Sequence, residues 1–563
     1  MNNVLSWLVF MPLVFAVALM FLPEAQAKAV KVFGLIGSLV TFGVSLYALS
    51  LFQSGTHHFQ LVESVPWVPD LGITYKLGMD GISVWLVVLT TFLMVICSWF
   101  SFYIDKRVKS YYVYMLVLET AMLGVFLSLD LVLFYTFFEA SLVPMALLIY
   151  KWGGDNRKYA ATKFFIYTFA ASIFMLIGIV WLSNLALQAT GSRTFDLLVI
   201  QSAVADGSLW AGAMQAQPVI FWLFTIALMV KCPMFPFHTW LPDAHTEAPT
   251  AGSVILAGVL LKMGTYGFLR FVLPLFPDVL PDQIPVLMVL AVVGIVYGAI
   301  VAAMQPDLKR LVAYSSVAHM GFVVIGVFSL THNGLMGGSY QQLSHGISTG
   351  ALFLLVGLLY ERIHTRMFKD MGGLKAKMPV FAAIFLIIML SSVGLPGLNG
   401  FIGEFLALFG AFEVAATGQF GLGWWLPLLA GAGVVLAAVY LLWMFQKVFY
   451  GPVTNPVLER IKDLKAWEVA MCSSLVLFAV WGGLYPATFL TPMEKSIAAA
   501  RQMAINEPGK RPSWTDPTLE IGENGDLVRV QEDREPLDMG RFTVASTVSP
   551  ANHHAVVPTE VSR

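Results

Sequence analysis

Apolar runs long enough to cross a bilayer recur along almost the whole chain, separated by short polar stretches. A spanning helix needs roughly 20 mostly apolar residues. About fourteen such runs occur: 4–22, 31–52, 82–104, 111–129, 131–150, 164–187, 217–240, 252–273, 285–304, 308–330, 334–360, 379–411, 425–450 and 467–490. The pattern predicts an all-α polytopic membrane protein. Basic residues alternate with the runs. Loops after odd-numbered runs hold Lys28 and Lys31, then Lys106, Arg107 and Lys109, then Lys151, Arg157, Lys158 and Lys163. The same series continues with Lys309 and Arg310, with Arg362, Arg366, Lys369, Lys375 and Lys377, and with Arg460, Lys462 and Lys465. Loops after even-numbered runs hold little beyond Lys76, Arg193 and Arg270. This is the positive-inside pattern. It predicts odd loops on the cytoplasmic side and both termini on the opposite, periplasmic side.

The first run is followed by Ala25-Gln26-Ala27, a small-x-small pattern like a signal-peptide cleavage site. Met1-Asn2-Asn3 carries no side-chain positive charge, however, and the run exceeds a usual apolar signal region, so a retained first helix is expected. Past about Thr491 the composition turns to Glu, Asp, Arg, Pro and Gly, which predicts a polar tail over 491–563.

Composition narrows the function classes. Of 563 residues, 58% are hydrophobic and 12% charged, about half the charge of a soluble domain. A net charge of −1 gives no indication of a nucleic-acid partner. Cys97, Cys232 and Cys472 are isolated, with no CxxC, haem-attachment or zinc spacing. Iron–sulfur clusters and structural zinc are therefore not expected on this chain. His238, Asp243, His245 and Glu247 share one short loop, but at no metal-ligand spacing. Capping of the run that follows is the expected role, and no metal is assigned.

Six ionisable residues lie inside apolar runs: Glu139, Lys231, Lys262, His319, His345 and Glu404. A charged group at the centre of a spanning helix costs ~2.5–3.5 kcal/mol on insertion scales, so each marks a candidate functional position. Singly, each has a bland reading: packing for a histidine, snorkelling for a lysine near a helix end, satisfaction of one structural lysine for a glutamate. A polar line threading a helix bundle accounts for all six at once. Two runs also contain helix breakers. Proline removes a donor and frees the carbonyl four residues back. Pro233 and Pro236 should free the carbonyls of Met229 and Cys232 around Lys231, and Pro396, among Gly394, Gly397 and Gly400, that of Ser392 before Glu404. Such breaks should line polar cavities, and paired interrupted helices are a transporter feature.

The stretches "VKCPMFPFHTWLPDAHTEAPTAGSVILAGVLLKMGTYGFLR", "KRLVAYSSVAHMGFV", "SHGISTGALFLLVG" and "GLPGLNGFIGEF" resemble the antiporter-like membrane subunits of respiratory complex I, the M type most closely, from about Gly78 to about Tyr450. The resemblance implies fourteen transmembrane helices with two inverted five-helix repeats, each with one discontinuous helix. Helices 1–3 would occupy residues 1–110, the repeats 111–273 and 285–450, and a final helix with its preceding loop 451–490. It further implies that Glu139 and Lys231 form a charge pair, that Lys262 is the central connecting lysine, that His319 and His345 form a relay, and that Glu404 is its terminus. Proton transfer through these groups and internal waters would couple to NADH oxidation and quinone reduction elsewhere in the complex. FMN, iron–sulfur clusters and quinone would then belong to other subunits, the L and N antiporter-like subunits would be neighbours, and the location would be a bacterial inner membrane. The same charges also suit a subunit of a multi-subunit sodium/proton antiporter or a membrane-bound hydrogenase. A more distant alternative makes His319 and His345 axial haem ligands in a cytochrome.

Overall fold

The computed structural model describes residues 3–453, 455–512, 519–521 and 527–529. Helices dominate. They are α1 (Val4–Met20), α2 (Ala27–Leu51), α3 (Ser83–Phe100), α4 (Val108–Leu127), α5 (Leu131–Ala140), α6 (Leu142–Trp152), α7 (Arg157–Thr190), α8 (Leu197–Ala205), α9 (Gln217–Lys231) and α10 (Trp240–Glu247). They continue with α11 (Thr250–Leu275), then α12 (Leu280–Ala303), α13 (Leu308–Phe328), α14 (His332–Ile363), α15 (Pro379–Val393), α16 (Asn399–Thr417), α17 (Trp425–Phe449), α18 (Ala466–Leu484) and α19 (Ala487–Ile505). Among the described residues, 13 helices are long and apolar enough to cross a membrane. With the 17-residue α1, these account for the fourteen runs read from the sequence, because α15 and α16 share one run. Between α2 and α3 a hairpin pairs β1 (Gln60–Val68) with antiparallel β2 (Ile73–Met79).

Burial sorts the helices by role. In the most apolar stretch of α2 and of α18 a third of the residues are buried, whereas in α11 all are, and in α13 and α14 94%. Outer helices expose apolar side chains such as Ile166 and Val435, as expected where lipid is the solvent. The polar side chains at positions 262, 319 and 345 therefore sit on the innermost helices. The first helix is packed into the bundle through Leu5, Leu8 and Val9. Its start is held by Glu63 of the hairpin, whose carboxylate accepts from the amides of Leu5 at 2.7 Å and Ser6 at 3.1 Å.

The polar tail begins later than composition suggests. Phe489, Met493, Ile497 and Ala500 recur at helical spacing and are buried, so residues 487–505 form a helix despite their modest hydropathy. Its Ser496 hydroxyl accepts from the Gly81 amide at 3.1 Å. Most of 506–563 lies outside the described residues.

Candidate functional site

Two helices are interrupted where proline predicts it. α9 stops at Lys231, and α10 begins only at Trp240. The freed Met229 carbonyl does not wait for solvent: it accepts from the Met234 amide at 2.9 Å. The indole of Trp240 donates to the Val230 carbonyl at 3.0 Å. The second break follows α15, where Gly394 takes a φ of +82° and Gly397 of +93°, a left-handed backbone that glycine adopts without penalty. The Ser391 hydroxyl donates to the Asn399 amide oxygen at 2.5 Å, and Asn399 donates to the Ser344 carbonyl at 3.3 Å. At the first break, protein groups thus satisfy the carbonyls of Met229 and Val230.

A third interruption separates α5 from α6 at Ser141. Pro144, in the "EASLVPM" stretch, explains it, since it takes the donor that the Ala140 carbonyl would need. Ser141 faces Lys231: the ammonium donates to its hydroxyl at 3.3 Å and lies 4.4 Å from the centre of the Phe138 ring. Glu139 and Lys231 form no direct ion pair in this structure. Lys231 and Ser172 are the groups acting on the Glu139 carboxyl, one of whose oxygens is buried without a hydrogen bond.

The other four residues meet. Lys262 is fully buried, and two π-helical segments of α11, Leu256–Leu260 and Phe268–Val272, flank it; π-bulges concentrate at functional sites. Its ammonium contacts the Ala257 carbonyl and lies 2.6 Å from His345 Nδ1. The His345 and His319 rings are 5.8 Å apart. His319 Nδ1 lies 2.6 Å from Glu404 Oε1, which also accepts from Gln341 at 3.0 Å. Direct contacts replace most of the water bridges that the sequence reading required here.

The two short contacts fit one set of tautomers. A neutral imidazole has one donor and one acceptor nitrogen. With Nδ1 of His345 accepting from the lysine, its Nε2 carries the hydrogen. With Nδ1 of His319 donating to the carboxylate, its Nε2 is the acceptor. Neither Nε2 has a hydrogen-bond partner, so the two rings face each other without a hydrogen bond between them. The four groups form two hydrogen-bonded pairs, Lys262 with His345 and His319 with Glu404, whose imidazole rings lie 5.8 Å apart.

Sequence reasoning missed His245, taking it for part of a capping loop. No side chain caps the start of α11. Glu247 instead accepts from the Asn156 amide at 2.9 Å, before α7, and Asp243 pairs with Lys163 at 2.7 Å. His245 is fully buried with both ring nitrogens unpartnered. It stacks on Phe353 at 4.5 Å, and Lys262, Lys309 and His345 act on it. Its spacing of seven from His238 on a short polar helix carried no signal for this placement. Among the described residues, no group of three or more His, Cys, Asp or Glu side chains could hold a metal ion.

Comparison with known proteins shows what the chain is similar to. Residues 128–425 match the family described as "NADH:quinone oxidoreductase/Mrp antiporter, TM". NADH-quinone oxidoreductase subunit M of Rickettsia typhi is 42% identical over 501 residues, covering 88% of this chain and 98% of the relative. That of Rhodobacter capsulatus is 44% identical over 508 residues, covering 88% and 96%. A chain of respiratory complex I from Thermus thermophilus, solved with bound NADH, superposes with a TM-score of 0.78 at 32% identity, covering 89% of this chain and all of that one.

Proposed function

The chain belongs to the NADH-quinone oxidoreductase subunit M family, as a proton-translocating, multi-pass membrane subunit of that complex, and we propose that its proton moves along Lys231, Lys262, His345, His319 and Glu404. The contact of Lys262 with His345 at 2.6 Å carries this reading, because no structural role requires an ammonium to face an imidazole inside a fully buried helix. Lys262 gives its proton to His345 Nδ1, the hydrogen on His345 Nε2 passes to His319 Nε2, and the His319 Nδ1 hydrogen moves to Glu404. The inter-ring step needs a small ring movement or one bridging water. A histidine suits the middle of such a relay, since its ordinary pKa lies near neutrality.

In this reading Lys231 supplies Lys262, and the Glu139 carboxylate controls Lys231. Drawn close, Glu139 favours the ammonium; held away, it favours release. The interrupted helices α9–α10 and α15–α16 belong to two inverted five-helix repeats over 111–273 and 285–450, following helices 1–3 in 1–110, with 451–490 and 491–563 outside them. The reading makes the chain part of a translocase with no redox centre of its own, FMN, iron–sulfur clusters and quinone being held by other subunits. Its neighbours are the L and N antiporter-like subunits in a bacterial inner membrane, with both termini periplasmic.

Lys231→Ala tests the scheme. In inverted vesicles it leaves NADH oxidation by an artificial acceptor intact and abolishes quinone-coupled proton uptake, followed with a pH-sensitive dye. Normal uptake excludes the path.

A further inference from the structure

The relay leaves one intramembrane carboxylate unused. Glu119, on α4, is fully buried, and neither carboxyl oxygen has a hydrogen-bond partner among the described residues. Other buried carboxylates are matched. Asp80 pairs with Arg270 at 2.5 Å, Glu404 with His319 at 2.6 Å, and Glu468 with Arg362 at 2.6 Å. An isolated ionised carboxylate in a low-dielectric interior is so unfavourable that the group neutralises instead. A lone acid with this environment carries its proton.

Its position gives that proton somewhere to go. α4 packs against α5, which carries Glu139, and against α11, which carries Lys262. The Tyr266 hydroxyl locks α4 to α11 by donating to the Phe126 carbonyl at 3.0 Å. α4 also packs against α3, which carries Cys97. The Cys97 thiol donates to the Ala251 carbonyl at 3.6 Å, and the Cys97 carbonyl accepts from Ser101, which also contacts the Tyr111 hydroxyl at 3.2 Å. Tyr111 and Ala251 both line a cavity of about 230 Å³ that also holds Glu247, Lys309, Glu361 and Arg366. That cavity opens among the loops where the basic residues concentrate. A series of polar contacts therefore leads from an ionisable cavity to Cys97 on the helix beside α4, and the acid's helix touches the helices that carry Glu139 and Lys262.

We propose that Glu119 is a further proton-binding residue of translocation, a neutral carboxylic acid that passes protons from this cavity to Lys262 as a second donor beside Lys231. After Lys262 has protonated His345 and become a neutral amine, the O–H bond of Glu119 breaks, intervening water relays the proton, and an N–H bond forms on Lys262. The resulting carboxylate recovers a proton from the cavity. The inference rests on the Lys262–His345 reading above.

Because the resting side chain is neutral, Glu119→Gln imitates its shape and charge but carries no transferable proton. A purely structural role would leave it silent. The expected result is a loss of pumping of about tenfold or more, on the scale of one positioned proton-transfer group, with Glu119→Asp keeping most of the rate. Infrared difference spectra of the whole complex should lose a protonated-carboxyl C=O stretch in Glu119→Gln and show it shifted in Glu119→Asp. Pumping at the wild-type rate in Glu119→Gln overturns the proposal, as does equal loss in both variants. If Glu119→Gln fails to assemble, an unshifted band in Glu119→Asp overturns it. Lys262→Met measured alongside separates the two readings. An inactive Lys262→Met beside a normal Glu119→Gln removes Glu119 alone, whereas normal pumping by Lys262→Met removes the relay.

Discussion

Lys262→Met should abolish pumping at almost no cost in stability, and the structure explains why those effects separate. A lysine at the centre of a spanning helix costs ~2.5–3.5 kcal/mol, and methionine restores that while keeping an unbranched apolar stem. Against this stands the loss of what the ammonium holds. The Ala257 carbonyl lies inside a continuous helix and has two lone pairs, so it is not orphaned. The contact to His345 at 2.6 Å is a charge-assisted hydrogen bond worth about 1.5–3 kcal/mol. The two terms nearly cancel. Arg270 is the instructive contrast. It is as deeply buried, but it is paired with Asp80 at 2.5 Å and also contacts the Tyr266 hydroxyl at 3.2 Å. Asp80→Asn leaves that guanidinium uncompensated, which costs about 3–5 kcal/mol. The assay is the temperature at which assembled complex disappears from native gels, with proton uptake by vesicles measured in parallel. Lys262→Met should lose heat resistance little or not at all and pump nothing; Asp80→Asn should lose assembled complex well below the wild-type temperature. If Lys262→Met melts as early as Asp80→Asn, the lysine is an anchor and the relay argument fails.

Two further substitutions probe what holds the site in place. At Gly400 an added Cβ would lie 1.9 Å from the Ser391 carbonyl oxygen, so Gly400→Ala must reshape the break before Glu404. It should cost about 1–3 kcal/mol through overpacking and slow pumping more than Ala at the open position Gly431, where the nearest atom is the end of a leucine side chain at 3.8 Å; equal rates for the two would show the break is not constrained. Glu63→Ala removes the carboxylate that caps α1 and should lower stability by about 0.5–2 kcal/mol, the usual cost of losing a helix cap, with coupling per assembled complex unchanged. A coupling defect in that variant would mean the hairpin acts on transport rather than on the fold.

The bundle was readable because hydropathy and charge alternation report on the bilayer, which acts on every segment alike. Individual contacts were less so. Glu139 and Lys231 are complementary in sequence, but Ser141 and the Phe138 ring occupy the lysine's reach instead, and only the break at Pro144 brings that hydroxyl there. His245 and Glu119 escaped notice for opposite reasons. The histidine sits in a short polar helix where a loop role is the natural expectation, and the glutamate in a run apolar enough that one carboxyl does not disturb it. α19 was hidden because its apolar positions form a stripe, which an average over all residues dilutes.

One gap in the relay bears on coupling. Lys231 and Lys262 do not touch through their side chains, yet their helices meet with no slack. A Cβ on Gly264 would lie 2.7 Å from the Cys232 nitrogen and from the Leu228 carbonyl oxygen, and one on Gly267 2.4 Å from the Leu228 side chain. Cys232 is the residue after Lys231, and Gly264 lies two beyond Lys262. Close-packed interiors transmit displacement instead of absorbing it. The segment after Lys231 has left its helix, so it can move at lower cost than the helix it presses on. A change in the attraction between Glu139 and Lys231 would pull on that segment, and the contact at Gly264 would carry the pull to α11 about half a turn from the lysine that faces His345. The π-helical segments on either side of Lys262 are where α11 departs from regular geometry, and a small shift taken up there would change the approach of Lys262 to His345 without unfolding a turn.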